Sequence, residues 1–246
     1  MDAVERPSFE SSAARAVYQY VERHGTAARH RVRAATDLDT DEFGEAVDHL
    51  LAKGYIEDDG GTLALSLNVG SVEGYTADSF SYTIRPARPD DFEAVVAAIR
   101  AVSEESSYVV AESVAEQLLY DDAVTRHNTV ESRVFFLATV GDDEVIGWCH
   151  LDLPQVEKLR ETAQLTVGVV PDYRGEGVGS SLLDRGVDWA RANGFRKLYN
   201  SLPATNERAM AFLGDHGWHT EGIRRNHYTV DDDRVDEVTM AYTFEE

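Results

Sequence analysis

Two hydrophobic periods alternate along the chain, one helical and one of strand type, and their order predicts two units joined by a connector. Over 8–24, Ala13, Ala14, Val17, Tyr20 and Val21 share one helical face, with Ser8 placed to cap the helix and Gly25 to stop it. A short helix is expected over 28–35. A third is signalled more fully. Asp39-x-x-Glu42 has the spacing of a capping box, Leu38 can pack on Phe43, and Phe43, Ala46, Val47, Leu50 and Leu51 hold the helical period up to Gly54. Tyr55-Ile56, the turn Asp58-Asp59-Gly60-Gly61 and the alternation Leu63, Leu65, Leu67 then predict a β-hairpin. Residues 68–81 (NVGSVEGYTADSFS) lack either period and are rich in Gly, Ser and Thr, so they read as a linker between a unit over 1–67 and a larger one over 82–246.

The larger unit opens with a strand over 82–87 and a helix from Pro89-Asp90, where Asp90-x-x-Glu93 is a capping box and Val95, Val96 and Ile99 form the apolar face. A weaker helix is expected over 112–124. Strands over 133–140 and 144–153 flank the turn Gly141-Asp142-Asp143. Beyond a polar stretch comes a central strand (Leu165, Val167, Val169, Val170). It is followed by a helix over 178–193, a strand over 196–202, a helix over 205–215 and strands near 218–224 and 236–244. This order predicts an α/β unit with a mixed sheet.

The central strand hands Arg174-x-x-Gly177-x-Gly179 straight to a helix N-terminus. Glycines let backbone N–H groups approach a ligand and the helix dipole favours negative charge, so 164–183 is an anion site. Gly179 is followed by Ser180-Ser181 with no lysine, which excludes a nucleotide-triphosphate loop. A dinucleotide fingerprint needs glycine where Ser180 stands and an acid ending the next strand, which instead reads Tyr199-Asn200-Ser201.

With those two loop types excluded, residues 82–246 resemble the GNAT (Gcn5-related) family of N-acetyltransferases. Arg174-Gly175-Glu176-Gly177-Val178-Gly179 is similar to that family's coenzyme A pyrophosphate loop, extended here by Ser180. Val167-Gly168-Val169 falls where members bind the acetyl-pantetheine arm, and Pro203-Ala204-Thr205-Asn206 followed by 209–218 resembles the motif whose asparagine contacts the coenzyme. The resemblance covers about two-thirds of the chain. It implies a GNAT acyltransferase fold, acetyl-CoA as co-substrate, no metal, and direct acetyl transfer to a primary amine on a small molecule or peptide. A backbone N–H near Val169 would polarise the thioester carbonyl.

The chain departs from the family at the proton-transfer positions. Leu213 stands seven residues beyond Asn206, where many members carry a tyrosine acid, and Ser201 occupies a position that holds a glutamate in others. Three substitutes are considered. Tyr228 follows a strand expected to border the cleft, and is either the acid or a packing residue. His150, beside the central strand, is either a base or a core histidine. Glu161, just before that strand, is either a water-relayed base or a surface acid. Arg224 and Arg225 either hold a substrate carboxylate or decorate a strand edge.

The N-terminal order of three helices and a hairpin resembles a winged helix-turn-helix, which implies DNA contact through the third helix. That helix would present Asp41, Glu45, Asp48, His49 and Lys53, mostly the wrong sign for phosphate; only Arg29, Arg31 and Arg33 cluster favourably. A packing, homodimerisation or protein-contact module is the competing reading, and an acetyl-CoA-responsive DNA-binding regulator is the alternative to an enzyme.

Charge changes this picture little. Acidic residues number 45 against 23 basic ones, for a net charge of −22, and the acids run along the whole chain. Such a surface suits molar salt, where screening shortens the Debye length to about 3 Å, so it says little about the substrate. The start lacks the pattern of a secretory signal, no apolar run is long enough to span a bilayer, and the single cysteine, Cys149, lies in an apolar run; a cytoplasmic protein with a buried thiol is expected.

Overall fold

A computed structural model describes residues 7–66, 69–103, 109–121, 123–128, 131–230 and 232–244. The first unit comprises α1 (Ser12–His24), β1 (Thr26–Ala28), α2 (Arg29–Thr36), α3 (Thr40–Ala52), β2 (Ile56–Asp59) and β3 (Thr62–Leu65), with a small antiparallel sheet in the order β1-β3-β2. Ser11 rather than Ser8 caps α1, its hydroxyl accepting from the Ala14 N–H at 3.0 Å. Tyr18, not Tyr20, is the buried ring of this helix. Tyr20 is half-buried against the edge of this core and stacks on His24. Asp39 caps α3 as expected by accepting from the Asp41 and Glu42 N–H groups, both at 2.9 Å. Phe43, Ala46, Val47 and Leu50 pack with Val17, Tyr18, Val21, Ile56 and Leu63 into one core. Leu67, expected to end the hairpin alternation, lies outside the described residues.

The second unit is a mixed sheet in the order β11-β12-β10-β9-β8-β7-β5-β4, with the short β6 (Arg126–His127) also pairing β7. Its strands are β4 (Glu73–Thr76), β5 (Ser81–Pro86), β7 (Glu131–Val140), β8 (Glu144–Pro154), β9 (Thr162–Val169), β10 (Lys197–Pro203), β11 (His219–Val230) and β12 (Asp233–Thr243). Among the described residues only β9 and β10 run parallel. One face is covered by α4 (Phe92–Ser103) and α5 (Val109–Asp121), which pack on Phe135, Leu137, Val145 and Trp148. The other carries α6 (Val178–Ala192) and α7 (Glu207–Asp215), whose Leu182, Leu183, Trp189 and Leu213 meet Cys149, Leu151, Leu165 and Met240. Helix α6 lies so close that a Cβ on Gly186 would stand 2.6 Å from the Cys149 sulfur. Burial pushes the Cys149 thiol well above its ordinary value, as a small core residue requires.

Three expectations are corrected. The aperiodic 68–81 stretch is more than a linker: its Glu73–Thr76 segment is β4, paired with Ser81–Ile84 of β5, and edge pairing needs no apolar alternation of its own. Helix α5 starts at Val109, earlier than 112. Strand β11 continues to Val230 across a bulge between Arg224 and Tyr228, stabilised by the Asp236 carboxylate accepting from the Asn226 N–H at 2.8 Å.

The two units meet through buried polar contacts. Tyr18 donates to the His127 carbonyl at 2.6 Å, and Glu22 takes the Arg126 guanidinium at 3.1 Å and the Asn128 amide at 3.0 Å. Across α6, Arg185 holds the Val69 carbonyl at 2.9 Å and pairs with Glu73. Among the described residues no helix is long and apolar enough to cross a membrane.

Candidate active site

The sheet opens at its centre. Strand β9 pairs with β8 from Gln164 to Val169, but with β10 only through Thr162–Gln164 against Lys197–Tyr199. Beyond that point β9 and β10 splay apart. A cleft of about 420 Å³ fills the gap, walled by Thr166 to Val169 on one side and Asn200 to Pro203 on the other.

The glycine-rich loop forms one end of this cleft. After a turn at Pro171–Tyr173, Arg174 bends back and donates its Nε to the Val169 carbonyl at 2.8 Å. Gly175 (φ 86°) and Gly177 (φ 83°) both take left-handed backbone conformations, which side chains resist. Gly177 is the N-cap of α6 and offers no side-chain cap. The first intrahelical bond of α6 runs from the Ser181 N–H to the Gly177 carbonyl, so the N–H groups of 178–180 point out of the helix end. Gly168 has a different reason to be glycine: a Cβ there would lie 2.8 Å from the Trp148 indole packed beneath it.

Helix α7 supplies the opposite wall. Asn206 caps it, its side-chain oxygen accepting from the Ala209 N–H at 3.1 Å. Leu213 presents carbon to the cleft where many members of the resembled family carry a phenol, and Phe212 extends this apolar surface. Arg208 also lines the cleft. Sequence reasoning passed over it, although its place two residues after Asn206, on the first turn of α7, was a usable signal.

Nine of the predicted coenzyme residues therefore line one cleft: Val167, Gly168, Val169, Arg174, Gly175, Gly177, Gly179, Ser180 and Asn206. Two do not. The Val178 side chain is buried in the core, leaving only its N–H at the helix end, and Glu176 is not part of the lining.

The three proton-transfer candidates all lie outside the lining. Glu161 is exposed at the start of β9, where its carbonyl ties down the Arg196 and Lys197 N–H groups. Five residues separate it from Thr166, roughly 16 Å at the usual strand rise, so its carboxylate stands away from the cleft. His150 is buried against Phe135, with ring centroids 4.5 Å apart. Desolvation, with the nearby Arg133 charge, pushes its pKa down to about 3, leaving a neutral imidazole too weak to take a proton from an amine. Tyr228 donates to Glu237 at 3.0 Å, and burial followed by this hydrogen bond raises its phenol well above the ordinary range. Glu237 in turn sits opposite Pro203, a residue of the cleft wall. Arg224 and Arg225 are ion-paired internally, with Glu237 at 3.0 Å and Asp236 at 3.2 Å.

Solved structures share this architecture. An acetyltransferase of the GNAT family from Streptococcus pneumoniae superposes with a TM-score of 0.55 at 22% identity, covering 66% of this chain and 99% of that one. A ribosomal-protein-alanine N-acetyltransferase from Brucella melitensis does so with a TM-score of 0.52 at 19% identity, covering 65% and 99%. At such identities the likeness concerns the fold. In sequence, the alanine N-acetyltransferase of ribosomal protein bS18 from Escherichia coli is 34% identical over 83 residues, which is 34% of this chain and 56% of that protein. The chain thus matches little more than half the length of that relative. Residues 96–218, half of the chain and the part that builds the cleft, match the acetyltransferase (GNAT) family, and the chain belongs to that family.

Proposed function

We propose that the protein is an N-acetyltransferase that moves the acetyl group of acetyl-CoA directly to a primary amine. The observation that carries this reading is the coincidence, in one cleft, of an uncapped helix N-terminus and a gap between two parallel strands. The first suits a pyrophosphate, with Arg174 and Arg208 adding positive charge in a chain of net charge −22. The second suits an extended arm, which can hydrogen-bond the edge of β9 in place of the absent strand partner. The coenzyme would supply the activated thioester. The chain's part is to hold it, to place donors at its carbonyl and to admit an amine with its proton removed.

An amine of pKa about 10 must lose a proton before it attacks. Of the three titratable candidates, Tyr228 is the one whose phenol is held protonated, through Glu237 on β12, the strand that separates its own from the β10 wall of the cleft. The Escherichia coli and Brucella relatives are named for acting on an alanine of a ribosomal protein, which favours an α-amine as the acceptor here.

The first unit keeps the winged-helix reading as a proposal, supported by its helix-strand-helix-helix-hairpin order. Its α3 exposes Asp41, Glu45 and Asp48, so packing on the acetyltransferase unit through Glu22 and Tyr18 suits it better than phosphate contact. Gel shifts in high potassium chloride that retained genomic DNA fragments would favour the regulator reading instead. The enzyme reading is tested by calorimetry. Arg174→Ala should weaken acetyl-CoA binding at least tenfold, the loss of roughly one charge-assisted contact, and unchanged affinity would refute it.

A further inference from the structure

Helix α1 meets the second unit along one line. Tyr18, Glu22 and Gly25 are spaced by four and three residues, so they continue one face of the helix. Tyr18 is 1% exposed and Glu22 7%, which puts both polar groups out of water. What they touch lies at two ends of one layer. Gly25 abuts Pro89, which opens the turn into α4: a Cβ on Gly25 would stand 3.1 Å from the Pro89 Cβ. At the other end, Tyr18 fixes the His127 carbonyl, and a single oxygen of Glu22 accepts from both Arg126 and Asn128. Arg126 in turn donates its other terminal nitrogen to the carbonyl of Asp121, the last residue of α5, at 2.8 Å. A helix end leaves that carbonyl unpaired, and a guanidinium there also suits the helix dipole. The C-terminal end of α5 is thus tied to α1 through one side chain.

The N-terminal end of the same helix walls the cleft. Val109 and Ala111 line it together with Thr166, whose hydroxyl has no partner among the described residues. The glycine-rich loop, α6 and α7 form the side where the proposed coenzyme sits, so the amine is left the side under α5. A helix of 13 residues is about 20 Å long and stiff, so a shift at Asp121 is carried to Val109.

Buried charged contacts hold two surfaces together no better than apolar ones of the same size, because desolvation offsets most of their gain; what they add is a fixed register. We propose that α1 is a brace for the α4–α5 cover, with Glu22 and Tyr18 as positioning residues that set how well the cleft admits the amine. The first unit then takes part in the reaction without touching either substrate. This rests on the transferase reading above and gives the first unit a role within it.

The full chain is assayed with alaninamide, a short alanine-led peptide and putrescine, and kinetics are followed on whichever the wild type acetylates fastest. The variants are Tyr18→Phe, Glu22→Met and Glu22→Gln, each with acetyl-CoA affinity from calorimetry and backbone deuterium exchange. Glu22→Met, which leaves Arg126 without its carboxylate, should raise KM for the amine about fivefold, and Tyr18→Phe about threefold, with kcat and acetyl-CoA affinity near wild type. Glu22→Gln keeps the oxygen that both donors use and should hold KM within about twofold of wild type. A contact that only stabilised the fold would instead lower kcat in step with the folded fraction and leave KM alone. Should Glu22→Met fail to fold, Tyr18→Phe, which loses one hydroxyl, decides the outcome. In both variants amides of 109–121 should exchange faster while those of α6, on the opposite face, do not change. An unchanged KM, or faster exchange confined to the first unit, would overturn the brace. Transfer to none of the three amines by a wild type that binds acetyl-CoA would overturn the transferase reading instead, and the exchange pattern would still decide whether α1 braces α5.

Discussion

Gly168 and Gly177 stand in one glycine-rich stretch, yet different physics holds each. Gly177 needs its left-handed φ, and the space around its Cβ position is open. Gly168 has an unremarkable φ but no room above Trp148. Alanine at Gly177 should therefore cost only the backbone strain, roughly 1 kcal/mol. At Gly168 it must displace a buried indole, at roughly 1–3 kcal/mol. Urea unfolding of the two variants checks the order. The loop was legible because left-handed glycines and a helix start are local features. The proton-transfer residues were not, because whether Glu161 or His150 reaches the cleft depends on strand position and on which neighbours cover the ring. Neither property has a sequence period. Thr166 carried no signal at all in the sequence and becomes visible only as an unpaired buried hydroxyl.

At the scale of elements, α4 is anchored by a device that responds to acid. Arg85 on β5 grips Asp91 with two hydrogen bonds of 2.7 Å, and Asp91 also takes the Arg88 N–H at 2.6 Å. Burial alone would raise the Asp91 carboxyl, but these donors outweigh it and hold the carboxyl below its ordinary value. The folded form thus keeps the charged carboxylate to lower pH than the unfolded form does. The resulting stability is fully present above about pH 4 and is lost as pH falls through the lower folded value. Asp91→Asn should lower stability at neutral pH and flatten the acid limb of a stability profile from pH 7 to pH 3, measured by denaturant midpoint. Capping pointed one residue astray here: Asp90-x-x-Glu93 has the right spacing, but Asp91 caps the turn, because Asp91 is also the residue that takes the bidentate grip of Arg85. Strand β4 was missed for a related reason, since its partner β5 lies across a turn and supplies the order that Glu73–Thr76 lacks.

For the whole molecule, a net charge of −22 spread over both units is self-repulsion that salt relieves. Raising potassium chloride from 0.1 to 1 M shortens the Debye length from about 10 Å to about 3 Å, and the melting temperature should rise across that range. A flat or falling curve would show that the surface ion pairs, such as Arg225–Asp236, offset the repulsion. The splay has a mechanical consequence on this scale. With β10, β11 and β12 joined to the rest of the sheet by three register pairs, the domain is two blades on a short hinge. Backbone amides facing the gap in Thr166–Val169 and Asn200–Pro203 have no strand opposite them, so they should exchange with deuterium faster than those of β8. Whatever lies in the gap becomes a structural splint. Added acetyl-CoA should slow exchange along both edges at once, and β12 beyond them should quieten as the blades stop opening.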